Sequence, residues 1–323
     1  MTKSSAIAHP IQGLIKYHGL REPGLRIPYH DSISVCVGPF ATHTTVELDP
    51  QLSQDVVEID GQVATGRARE RVEQVLNHVR QLAKTETYLR VKSRNNFPSN
   101  IGLGASSSGF AALAKAACDA FGLELELRQL STIARLGAGS ACRSVTGGYS
   151  YWYAGDDHSS SYSYRLATGS EFPLGVVVVF IHALKNTEDA HREAETSPLF
   201  SARLEYIPRA LQEMRKAIER RDIQALGQLA EQDTLHLHAI TMTGKGAPIY
   251  WRPQTLEVML EVRRMRQEER LPVYFSIDTG ATVYLNAPPD LCQEIAQRFV
   301  DKGFSAQIAY VAKEVHSTSE HLF

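Results

Sequence analysis

Between residues 96 and 110 the chain reads NFPSNIGLGASSSGF, with strand-like YLRVKS (Tyr88–Ser93) before it and helix-periodic sequence after it. No other stretch restricts the fold as much. Glycines let a backbone take positive φ and approach an anion closely. The serines add hydroxyl donors. A helix that starts here aims its free N–H groups and the positive end of its dipole into the turn. A polyphosphate needs that chemistry. The turn is not GxxxxGK[ST], because no lysine follows Gly109. Nor is it a dinucleotide fingerprint, because the spacing is wrong and no acidic residue closes a βαβ unit. On its own it reads equally well as a surface loop that caps a helix.

Around this turn the hydrophobic period changes repeatedly. Ile33–Val37 and Thr44–Leu48 are strand-like, Asp60-Gly61 is a hairpin signal after Val56–Ile59, and Tyr149–Tyr153 is a strand behind Gly147-Gly148. Arg67–Ala83 places Val72, Val75, Leu76, Val79 and Leu82 on one helical face. Gly109–Phe121 and Leu127–Arg135 are helical, and Asp156–Ser163 is a polar turn. A second lobe opens with the strand Val176–Ile181. It continues through helices at Ser201–Arg220, Ile223–Leu237, Gln254–Glu269 and Pro289–Asp301 and a strand at Ala306–Val311. Val273–Ile277 and Thr282–Leu285 flank Asp278-Thr279-Gly280. The irregular alternation predicts an α+β fold, and 323 residues predict two lobes, 1–172 and 173–323.

Composition excludes several roles. Thirty-four Lys and Arg against 36 Asp and Glu give a formal charge of −2, and the cations are scattered, so neither nucleic acid nor an anionic membrane is an expected partner. Cys36, Cys118, Cys142 and Cys292 form no CxxC pair, which argues against disulfides or a zinc site. The longest apolar run, Pro173–Ala183, is shorter than the roughly 20 residues a membrane span needs. Met1–Ile7 has no long apolar stretch. A cytoplasmic protein without a signal peptide is expected.

Three charged residues stand in unusual places. Asp278 lies between an apolar strand and a glycine turn, as a turn aspartate or an acid–base group would. Arg143 follows the tight Gly-Ala-Gly-Ser-Ala run. Lys16 interrupts apolar LIKY, which marks a functional lysine or a snorkelling one.

Four segments together carry a resemblance. NNFPSNIGLGASSSGFAAL is similar to the phosphate loop of the GHMP kinase superfamily. With IKYHG (Ile15–Gly19), IARLGAGSACRSVTGGY (Ile133–Tyr149) and SIDTGA (Ser276–Ala281) it resembles the mevalonate-pathway decarboxylases, in that family's order. The resemblance implies a two-lobed GHMP kinase fold, ATP as co-substrate, Mg²⁺ and a homodimer. It implies that Asp278 deprotonates a tertiary 3-hydroxyl attacking the γ-phosphate, that Arg143 holds the substrate carboxylate, and that Lys16 neutralises charge and holds Asp278. Ser140 would add a hydroxyl to the substrate. Asn96, Gly102, Gly104, Ala105, Ser106, Ser107 and Ser108 would meet the nucleotide, Ser106 also meeting the metal.

The diphosphate enzymes of this family typically read KYWGK where this chain reads Lys16-Tyr17-His18-Gly19-Leu20, so the cation expected at a second phosphate is replaced by Leu20. AHPIQGLIKYHG, LRIPYHDSISVC and VYFSIDTGATVYLN resemble the phosphomevalonate decarboxylase branch, whose members convert mevalonate 5-phosphate to isopentenyl phosphate. Tyr17, His18 and Arg71 are then candidates for the phosphate end. Arg71 also reads as a solvated helix charge. His191 and Arg192, in KNTEDAHREAE, read as further candidates or as a solvated helix face. A diphosphate decarboxylase, a 3-kinase without decarboxylation and a non-catalytic relative are the rival expectations.

Overall fold

The computed structural model describes residues 2–98, 102–183 and 187–323. Residues 99–101 of the glycine-rich turn and 185–186 of KNTEDAHREAE lie outside them. The chain order begins β1 (Lys3–Ala8), β2 (Ile11–Ile15), β3 (Leu20–Glu22), β4 (Ile27–Pro28), β5 (Ser32–Gly38), β6 (Thr42–Leu48), β7 (Val56–Ile59), β8 (Gln62–Val63), α1 (Gly66–Ala83) and β9 (Leu89–Asn95). It continues α2 (Ala105–Ala120), α3 (Leu127–Gly137), α4 (Ala141–Thr146), β10 (Tyr149–Tyr153), β11 (Tyr162–Ala167), β12 (Gly175–Phe180), α5 (Thr187–Thr196), α6 (Phe200–Glu219) and α7 (Ile223–Met242). It closes with α8 (Pro253–Glu268), β13 (Tyr274–Ser276), β14 (Val283–Ala287), a 3₁₀ turn, α9 (Cys292–Asp301), β15 (Ser305–Val311) and β16 (His316–Thr318).

Two main sheets organise these elements. One runs β16-β1-β6-β9-β7-β8, mixed because β7 and β9 are parallel. The other runs β11-β10-β5-β15-β12-β14-β13, with β2 on the opposite edge of β5. Cys36 shows how β5 joins the halves: its N–H bonds Gly148 O, before β10, and its carbonyl accepts from Ala312 N, after β15. The second sheet therefore crosses residue 172. The last strand, β16, returns to pair with β1 in the first sheet.

Side-chain period decides what each face covers. In β12 the run GVVVVF sends Val176 and Val178 into one apolar cluster and Val177 and Val179 into another. A strand apolar on both faces is covered on both. Residues of α6 and α7 close one side, and residues of α8 and α9 the other. On the first sheet α2 lies against β1 and β6. Its alanines (Ala111, Ala112, Ala114, Ala116, Ala117) are fully buried, which is what close approach of a helix to a sheet requires.

Three local expectations change. Val72, Val75, Leu76 and Val79 are buried in α1, but Leu82, at the helix end, is 46% exposed. The helix expected from Gly109 begins at Ala105, so Ser106, Ser107 and Ser108 belong to its first turn rather than to a loop. The polar turn after β10 ends at β11, and α4 forms within the GAGSACRSVT segment; short elements such as these carry too few residues to show a period.

Candidate active site

A cleft of about 330 Å³ is lined by side chains from β2, α1, α2, α4, α5, α7 and the β13–β14 turn. On one side stands Lys16, directly after β2. Its ammonium donates to Thr234 Oγ1 (3.0 Å) and Ser276 Oγ (2.9 Å) and lies 3.8 Å from Asp233 Oδ2. Burial drives the Lys16 pKa below the usual lysine range, and the Asp233 and Asp278 carboxylates oppose that fall.

Asp278 follows β13. Its Oδ1 accepts the Gly13 N–H at 3.0 Å, and its carbonyl accepts from His238 Nε2 at 2.9 Å. Burial, the largest influence, pushes the His238 pKa down to about 3, so the ring stays neutral and donates one fixed hydrogen bond. Gly13 is required by contact: a Cβ there would stand 2.6 Å from Lys16 Cγ and 3.0 Å from Asp278 Oδ1. The sequence reading expected Lys16 to hold Asp278. The Gly13 N–H bonds that carboxylate, and the Lys16 ammonium and the carboxylate act on each other as nearby charges.

Arg143, 2% exposed, projects from α4. Its Nη1 donates to Ser32 Oγ (3.0 Å), and its guanidinium lies 5.4 Å from the Tyr17 ring centre and 5.6 Å from that of Trp152. Aromatic faces hold the planar fork without neutralising it. Tyr17 stacks on His191 at 5.1 Å, and the His18 ring meets His191 edge-on at 5.1 Å. His18 approaches Thr241 Oγ1 (3.3 Å) and Thr279 Oγ1 (3.4 Å), while His191 Nδ1 accepts the Gly19 N–H at 3.2 Å.

The opposite wall is backbone. Gly104, at φ +68°, is the N-cap of α2, and a Cβ there would press on Ile11 O at 3.2 Å. Tyr284 OH fixes Gly102 O at 3.0 Å. Gly102, Gly104, Ala105 and Ser106 all line the cleft at the positive end of α2.

Two family descriptions match this chain. The diphosphomevalonate decarboxylase-like N-terminal domain covers residues 8–163, and the mevalonate 5-diphosphate decarboxylase C-terminal domain covers residues 176–320. The chain belongs to the diphosphomevalonate decarboxylase family. A phosphomevalonate decarboxylase of Haloferax volcanii is 45% identical over 99% of this chain and all of its own. Two solved structures, each at TM-score 0.91 and 30% identity with 99% of both chains covered, are MDDEF in complex with MVAPP, AMPPCP and magnesium, and the mevalonate diphosphate decarboxylase of Enterococcus faecalis with mevalonate diphosphate mediated ATP binding. The α+β fold is thus that of the diphosphomevalonate decarboxylases.

Within this family member, Lys16, Tyr17, His18, Arg71, Gly102, Gly104, Ala105, Ser106, Ser140, Arg143, His191 and Asp278 converge on the cleft. Four other candidates do not line it. Ser107 Oγ donates to Gly104 O and accepts the Ile11 N–H, so it ties the turn to β2. Ser108 Oγ pairs with Thr42 Oγ1 at 2.6 Å. Both are buried, with their hydroxyls bonded inside the protein instead of in the cleft. Asn96 is exposed and bonds the backbone of Ala41 and Pro39. Arg192 is exposed and pairs with Asp189 on its own helix, whereas its neighbour His191 is buried rather than solvated. Arg71 donates Nε to Gly137 O (2.6 Å) and lies over the Phe110 ring. Sequence reasoning missed Arg26 and Arg67, which also line the cleft, and Gly13, Thr234 and Asp233. Gly13 in IQGLIKY carried a signal, since a strand glycine marks close approach.

Proposed function

We propose that this chain catalyses the ATP-dependent decarboxylation of mevalonate 5-phosphate, giving isopentenyl phosphate, ADP, phosphate and carbon dioxide. The observation that carries the monophosphate assignment is at Leu20. The family's diphosphate enzymes typically have a lysine there. Here the side chain is apolar and buried, and the Leu20 N–H is taken by Glu195 Oε1 at 2.7 Å. The position therefore supplies no cation to a second phosphate, whose desolvation would lose that compensation. The high identity to the Haloferax volcanii phosphomevalonate decarboxylase supports the same reading.

In this reading the Asp278 carboxylate, aligned by Gly13, takes the proton of the 3-hydroxyl as its oxygen attacks the γ-phosphorus. Lys16 supplies positive charge beside that developing centre. Arg143 receives the substrate carboxylate in its planar fork and keeps it aligned for departure as carbon dioxide, with Ser140 beside it. Tyr17, His18, His191 and Arg71 face the phosphate end. The turn from Gly102 to Ser106 and the α2 N-terminus receive the ATP phosphates. No cluster of three His, Cys, Asp or Glu that would hold a metal exists among the described residues. The exposed Ser106 hydroxyl is an oxygen donor suited to Mg²⁺, which would be held by Ser106 with the nucleotide's own oxygens and would neutralise phosphate charge. The four cysteines are free and buried, in keeping with a cytoplasmic enzyme; a homodimer is the assembly this reading carries.

The test is product analysis. With MgATP and, separately, mevalonate, its 5-phosphate and its 5-diphosphate, turnover is expected on the 5-phosphate with carbon dioxide, ADP and isopentenyl phosphate in equal amounts. Preferred turnover of the diphosphate would sink the substrate assignment, and ADP without carbon dioxide would reduce the enzyme to a kinase.

A further inference from the structure

Asp233 and Arg203 do not line the cleft, yet both grip Lys16. Asp233 Oδ2 accepts the Lys16 backbone N–H at 2.9 Å and lies 3.8 Å from its Nζ. Asp233 Oδ1 accepts from Arg203 Nη2 at 2.9 Å, and that same Nη2 donates to the Lys16 carbonyl at 2.7 Å. The ring of contacts is thus closed across both peptide groups of one residue. Its side chains are 5%, 0% and 1% exposed for Lys16, Asp233 and Arg203. A buried carboxylate and guanidinium are costly unless fully paired, and Arg203 Nε and Nη1 have no hydrogen-bond partner among the described residues.

We propose that Asp233 and Arg203 are positioning residues that clamp Lys16 from both peptide sides and set the charge it presents to the substrate. The inference rests on the catalytic role given to Lys16 above. Asp233 and Arg203 come from α7 and α6, so the clamp ties the end of β2 to the helical layer behind it. The two partners act on the ammonium in opposite senses. Burial lowers the Lys16 pKa most; Asp233 and then Asp278 raise it, and Arg203 lowers it. The neighbouring ionisable groups on the packed elements are His238, His236, His30, Tyr206, Tyr284 and the Arg143 guanidinium, and burial lowers the His236 pKa. Burial pushes His238 to about 3 and His30 to about 4, and raises Tyr206 and Tyr284 above the ordinary tyrosine value.

If the ammonium form of Lys16 is the working form, kcat is expected to fall on the alkaline side as Lys16 loses its proton, and burial brings that limb to lower pH than for an ordinary lysine. Removing Asp233's charge (D233N) should move that limb to lower pH and reduce kcat roughly 10- to 100-fold, with KM for ATP little changed. Removing Arg203's charge (R203Q) should move the limb to higher pH. R203K, which keeps the charge, should restore the wild-type limb. Opposite shifts in D233N and R203Q support the clamp; unmoved limbs, or shifts in one direction, overturn it. Should D233N fail to fold, R203Q decides: a raised limb supports the proposal and an unmoved one ends it. K16A separates the two levels. Wild-type turnover in K16A removes the catalytic role of Lys16 itself, whereas an inactive K16A with unmoved limbs in D233N and R203Q overturns the clamp alone.

Discussion

The two walls of the cleft are built on opposite principles. The wall proposed for phosphate, Gly102 to Ser106, is backbone and a helix terminus from one short stretch of chain. The wall proposed as catalytic holds side chains whose partners are hundreds of residues away: Gly13 bonds Asp278 across 265 positions, and Lys16 bonds Asp233 across 217. A backbone nest needs only the right φ angles and small residues. A buried lysine beside two carboxylates needs every neighbour in place, because an unmatched charge at that depth is strongly unfavourable. Mutations should therefore fail differently on the two walls: catalytic-wall changes should fall on kcat, and phosphate-wall changes on nucleotide affinity or stability.

The largest effect is expected at Asp278. Asp278→Asn keeps an oxygen for the Gly13 N–H but cannot take a proton, so kcat should fall about 10³-fold or more while ATP binding by calorimetry stays near wild type. A parallel loss of ATP affinity would show that the walls are not separable. Gly13→Ala is the next most severe. Its methyl would strike Lys16 Cγ and crowd Asp278 Oδ1, and kcat should drop on the order of 10²-fold through misplacement alone. Wild-type kcat there would mean the strand shifts freely, which contradicts a rigid catalytic wall. Smaller effects divide two neighbouring serines. Ser106→Ala, on the exposed side of α2, should raise KM for ATP about tenfold by losing a hydrogen bond to a charged group. Ser107→Ala should leave KM nearly unchanged but lower unfolding stability by about 1 kcal/mol, because its hydroxyl bonds Gly104 O and Ile11 N instead of ligand. Reversed results would exchange the roles of the two positions.

Much of this contrast can be read in the sequence. The glycine-rich turn, the GVVVVF strand and the amphipathic helices announce themselves because local spacing and residue size control backbone angles and burial. Lys16 stood out because a lysine in an apolar strand segment needs a reason, and Leu20 because the family's second lysine is absent there. Other features could not be read. Ser107 and Ser108 are chemically the same as Ser106, and only the start of α2 at Ala105 decides that one of the three faces the cleft. His191 lies in a strongly polar helix, yet packing against Tyr17 and His18 buries it. Asp233 sits in AEQDTLHLHA, where nothing local separates it from any helix carboxylate.

By itself, then, the sequence determined the strands, most helices, the glycine-rich turn and the residue types able to move a proton or hold a carboxylate, since each depends on neighbours within a few positions. The tertiary structure alone decided that β5 would join the two halves in one sheet, that the Gly13 N–H would bond Asp278, and that Asp233 and Arg203 would grip Lys16. Those outcomes depend on which distant groups share a low-dielectric interior, where hydrogen bonds and charges must be matched at contact distance.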